Sequence, residues 1–89
     1  MNIQISHETV SEYSVSVELA TEKKSAFVSL SSWGTVTVCC LNAAHRVWRG
    51  NGRQFESFEE AMIAYKSSEM RSMIEAARDR ITSLMGVAS

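Results

Sequence analysis

The chain has 89 residues, 45% of them hydrophobic and 21% charged, with a formal net charge of −1. A chain of this size buries about 64% of its unfolded surface, enough for one core and a single domain over residues 1–89. The composition excludes collagen-like, coiled-coil and largely disordered classes, and no apolar run approaches the roughly 20 residues of a membrane span.

The first residues, Met1 to Ser6, lack the basic start and apolar stretch of a secretory leader, so the expectation is a protein that stays in the cytosol. Ile3 and Ile5 suggest an edge strand on two apolar positions only. From Tyr13 to Ala20 the alternation is strict: Tyr13, Val15, Val17 and Leu19 fall on one face, Ser14, Ser16 and Glu18 on the other. Thr21 to Lys24 reads as a turn, and residues 25–31 alternate again through Ala26, Val28 and Leu30. Ser32-Trp33-Gly34 breaks the pattern at a second turn, with Gly34 free to take positive φ. Thr35 to Leu41 then resumes it, placing Val36, Val38 and Cys40 on the inner face. Three strands joined by short turns form an antiparallel meander, and clean alternation implies one covered face.

Gly50-Asn51-Gly52 is a turn signal, with Val47-Trp48 as a short fourth strand before it. Ser57-Phe58-Glu59-Glu60 fits a capping box, Ser57 accepting from the Glu60 amide and the Glu60 side chain reaching back. The stripe Phe58, Ala61, Met62, Tyr65 is out of phase with the stripe Met70, Met73, Ile74, Ala77, Ile81, Leu84, Met85. One straight helix cannot bury both, so the slip near Ser67 and Ser68 predicts two helices, near 57–67 and 69–85, with Gly86 as C-cap. The fold expected is α+β: an antiparallel sheet of three to four strands followed by two C-terminal helices packed on one face.

The chemistry-bearing residues are sparse. Cys39 and Cys40 are adjacent and make no disulfide framework; with His7 and His45 they show no CxxC, HxxxH or HExxH spacing, so neither a metal site nor a cofactor is expected. A Cys40–His45 nucleophile pair is conceivable at a strand end, but Cys40 reads more simply as a small core hydrophobe and Cys39 as outward-facing. The expectation is a protein without enzymatic activity. Charge is segregated: residues 1–22 hold four acids and no base, and residues 23–55 hold five bases and no acid. Within the basic part, His45 to Arg53 gathers Arg46, Trp48, Arg49 and Arg53 around the glycine turn. Arg and Trp are frequent anchors of protein interfaces, and arginines also contact nucleic-acid phosphates. A third reading has Trp48 closing the core while the arginines are solvated or pair with Glu59 and Glu60. Phe27 and Trp33 fall outside the inner stripe and are expected at the surface, where they either face a partner or lie under the N-terminal segment.

The segment Gly52 to Ala61, followed by Ala64-Tyr65-Lys66-Ser67 and Met70 to Ala77, resembles small accessory proteins of bacteriophages and mobile elements, loosely over residues 50–80. Size, acidity and a sheet-plus-helix plan also resemble the anti-CRISPR proteins, a likeness of type from which no residue is carried over. That likeness implies a viral inhibitor acting in the host bacterial cytoplasm to evade host defence, by occupying a surface on a Cas protein or a CRISPR surveillance complex or by holding it in an inactive state. The alternative is a DNA- or RNA-associated regulator that uses the arginine and tryptophan loop. No membrane partner is implied, and a homodimer stays open.

Overall fold

A computed structural model describes residues 2–42 and 52–88. Five strands, β1 (Gln4–Val10), β2 (Ser14–Ala20), β3 (Lys24–Ser31), β4 (Val36–Asn42) and β5 (Arg53–Phe55), pair antiparallel in sequence order. Two helices follow, α1 (Phe58–Ala64) and α2 (Ser68–Ala88). The expected α+β arrangement of a meander and two C-terminal helices is therefore present, with the N-terminal segment as a full edge strand and Arg53–Phe55 as the opposite edge. The candidate strand at Val47-Trp48 lies outside the described residues.

The meander follows from its hydroxyls as much as from its alternation. Ser11, Thr21 and Ser31 each open a hairpin turn, and each side-chain oxygen accepts backbone N–H groups across it: Ser11 from Tyr13 and Ser14, Thr21 from Lys23 and Lys24, Ser31 from Thr35. These bonds pair amides that a bare turn leaves to water. Gly34 completes the third turn at φ 95°, a conformation that glycine enters without steric cost. One consequence corrects the expected inner face. Tyr13 belongs to the first turn, ahead of β2, and its ring is exposed.

Register then sets the two faces. Val15 pairs with Leu30, Val17 with Val28 and Leu19 with Ala26, and Val28 pairs with Val38. These inner residues pack under Ala61 of α1 and Met70, Met73, Ile74, Ala77 and Ile81 of α2 to form the core. The helices divide as the two stripes require. Ser57 caps α1 by accepting from the Glu60 amide at 3.1 Å, and Ser67 accepts from the Met70 amide at 3.3 Å at the start of α2. The Glu60 carboxylate reaches back one residue further than a capping box needs, to the Glu56 amide at 3.1 Å. Gly86 lies within α2, which runs on to Ala88, so it is not the C-cap. Among the described residues no helix is long and apolar enough to cross a membrane.

The sheet edges are guarded. In β1 the register shifts between Ile5 and His7, a bulge that interrupts regular pairing, and β5 has only three residues. Glu8, on the inner side of β1, forms a two-pronged ion pair with Arg80 of α2, fastening the edge strand to the helix.

Candidate partner-binding surface

Of the four basic-loop residues, Arg53 falls on β5, whereas Arg46, Trp48 and Arg49, like His45, lie outside the described residues. Arg53 pairs with Val38 and Phe55 with Val36, so the two side chains share the inner side of the sheet, at its edge. Tyr65, at the C-cap of α1, comes down beside them. The Arg53 guanidinium carbon lies 5.3 Å from the Phe55 ring centroid and 5.2 Å from that of Tyr65. The two rings meet edge to face, centroids 6.2 Å apart at 62°. Each contact is of cation–π type, worth about 0.5–1 kcal/mol at an exposed site. Their larger effect is orientation: a long side chain that normally samples many rotamers lies over two half-buried rings, within hydrogen-bonding influence of the Tyr65 hydroxyl.

Among the described residues Arg53 makes no ion pair with Glu59 or Glu60; the same pairing for Arg46 and Arg49 lies outside the described residues. Burial pushes the Tyr65 phenol above its ordinary range, with the Arg53 cation acting in the opposite direction. Gly52 is what lets β5 begin here. A Cβ built on it would stand 2.4 Å from Cys39 Sγ and 2.7 Å from the Val38 carbonyl oxygen, so the strand start must lie bare against β4. Of this constellation, Arg53 was legible in the sequence. Its two-ring platform was not, because Tyr65 reads there as one more residue of the α1 core stripe; the signal was the Arg53/Phe55 spacing, two apart on one strand face.

The cysteines divide as their alternation predicts, but Cys40 is not a core residue. It sits exposed at the end of the inner stripe, its Sγ lodged 3.5 Å from Met70 Sδ. Partial burial of the sulfur pushes its thiol pKa up, Lys24 opposing and Glu69 adding to the shift, which disfavours the thiolate a nucleophile needs. Among the described residues no three of His, Cys, Asp and Glu gather as metal ligands. Glu69 is instead engaged with Thr21 at 3.2 Å and Lys24 at 3.9 Å.

Among the described residues no helix lies over the outer sheet face. One row crosses all five strands as Thr9, Ser16, Ser29, Thr37 and Gln54, small polar side chains throughout. Phe27 stands in the next row between Glu18 and Cys39 and is half-buried, whereas Trp33 is 74% exposed in its turn. Comparison with family models, with curated proteins and with solved structures finds no match to the chain.

Proposed function

We propose that this chain is a small binding protein without catalytic activity that blocks a CRISPR effector protein or complex by occupying its surface, with Arg53 as a preset anchor beside Arg46, Trp48 and Arg49. The observation that carries the reading is the guanidinium of Arg53, fixed over Phe55 and Tyr65 with no carboxylate to neutralise it among the described residues. An exposed arginine held in one orientation loses less entropy on binding, which is how interface anchors gain affinity. Its place directly after the basic segment puts it in sequence beside two further arginines and a tryptophan. The effector class follows from the likeness of type to anti-CRISPR proteins.

The test expresses a tagged chain in a CRISPR-active bacterial host and measures both capture of the effector and phage plating. Wild type is expected to capture the effector and restore plating; the folded Arg46→Ala/Arg49→Ala/Arg53→Ala variant is expected to do neither. Full binding and protection by that variant would remove the basic segment from the interface. No effect of wild type on plating would overturn the inhibitor reading. Steeply salt-dependent binding to bare nucleic acid, without effector capture, would favour the regulator instead.

A further inference from the structure

The end of the sheet that holds two of its hairpin turns carries a second surface. The β1–β2 and β3–β4 turns lie side by side there, tied by the Ser32 amide donating to the Tyr13 carbonyl at 2.7 Å, and the C-terminal part of α2 arrives at the same end. Together they leave an open pocket of about 250 Å³ whose apolar walls are Val10, Val15, Leu30 and Met85. Small-molecule sites run from about 300 Å³ upward, so this pocket is sized for a side chain rather than a cofactor or substrate. Ser11, Ser14, Ser31 and Ser32 complete its rim, and the same turns and helix end expose large apolar side chains: Trp33 is 74% exposed, Tyr13 67%, Val10 52% and Met85 46%. Glu12 is the one charged residue among those lining the pocket.

We infer that this end is the interface of a weak two-fold homodimer in which Trp33 of each copy enters the pocket of the other. A projecting ring and a hollow of side-chain size sit next to each other on one patch, which is what a self-complementary two-fold contact requires. Area places it among interface classes. The four exposed side chains offer roughly 450 Å² per copy, so a pair covers roughly 900 Å² before the polar rim is counted, close to the ~1,000 Å² at which specific interfaces begin. A contact at that limit belongs to the weak, exchanging class of interface. The near absence of charge on the patch lets two copies of a chain with net charge −1 approach with little repulsion. Arg53 sits on the edge strand β5, across β4 from the pocket, and is not among the residues that line it.

Sedimentation of the full chain from low micromolar to sub-millimolar concentration tests this directly. Wild type is expected to pass reversibly from 9.9 kDa to twice that mass. Trp33→Ser and, separately, Met85→Glu are expected to weaken the pairing at least roughly tenfold. Trp33 is 74% exposed, so Trp33→Ser should melt as wild type does; Met85 is also a wall of the pocket, so Met85→Glu is scored with its own melt as the folding control. A wild type that stays monomeric throughout overturns the inference, as does a dimer that survives both substitutions. If the chain is monomeric and Trp33→Ser instead weakens effector capture, the patch belongs to that partner and the dimer is refuted. The measurement uses the chain alone, so its outcome is independent of the proposed inhibition.

Discussion

Replacing Gly52 with alanine probes the joint that sets Arg53 in place. The added methyl would fall 2.4 Å from Cys39 Sγ, 2.7 Å from the Val38 carbonyl oxygen and 3.0 Å from the Val38 carbonyl carbon, all well inside van der Waals contact. The sulfur can turn aside, being the end of a short side chain. The Val38 carbonyl cannot, because it belongs to β4 at the centre of the β3–β4–β5 pairing. Relief therefore comes from pushing the start of β5 away, at about 1–3 kcal/mol, the usual range for overpacking. For a domain of this size that lowers the melting temperature by roughly 5–20 °C. Adding Cys39→Ala removes only the sulfur contact and should restore part of the loss. Circular dichroism melts of the single and double variants read both steps, and NMR reads the ring-current shift of the Arg53 side chain, which should weaken as β5 moves. A Gly52→Ala protein with wild-type melting and an unshifted Arg53 would refute the close approach.

Other predictions concern the fastenings around the core. Thr21→Val keeps the shape but deletes the hydroxyl that accepts from the Lys23 and Lys24 amides and donates to Glu69; a loss of about 1 kcal/mol, or roughly 4–8 °C, is expected in thermal melts. Alkylation of Cys40, followed by peptide mapping at mildly alkaline pH, should be slower than that of a free thiol, because its raised pKa leaves less thiolate. Lys24→Ala should slow it further and Glu69→Gln should speed it; a Cys40 that reacts faster than a free thiol would contradict the buried sulfur. Arg80, by hydrogen bond and then by charge, holds the Glu8 carboxyl below its ordinary pKa. The stabilisation from this pair is thus fully present above the usual carboxylate range and disappears as pH falls through the depressed value. In Glu8→Gln the acid-side fall in melting temperature should be smaller than in wild type, and equal curves would sever the pair from stability.

Much of the fold is legible in the chain because binary patterning and capping act locally. Val15, Val17, Val28, Val36 and Val38 fall opposite Ile74, Ala77 and Ile81 on period alone, and the break between helices follows from two serines and a phase slip. What escapes is what depends on packing between distant segments. Carrying the β2 alternation back to Tyr13 overlooks the Ser11 turn, although Ser11, Thr21 and Ser31 recur every ten residues, each opening a hairpin. β1 was hidden because its inner positions include Glu8, a charge that breaks the apolar alternation and pairs with Arg80 of α2 at the sheet edge. Cys40 continues the inner stripe but sits at the strand end, exposed, with Met70 against its sulfur. For the surface, sequence singles out the arginines and the tryptophan, yet the platform under Arg53 needs a residue twelve positions away on α1.

Arg53, lying over Phe55 and Tyr65, is the proposed anchor of a protein interface, and one comparison of affinities tests that role most directly. Wild type, Arg53→Ala and Arg53→Lys are titrated against the effector captured from the CRISPR-active host, with melts to confirm folding. Arg53→Ala should weaken binding by roughly thirtyfold, the effect of removing an anchor of about 2 kcal/mol. Arg53→Lys should recover little of it, since an ammonium keeps the charge but not the planar stack or the fork. Equal affinity of all three folded proteins would contradict the claim.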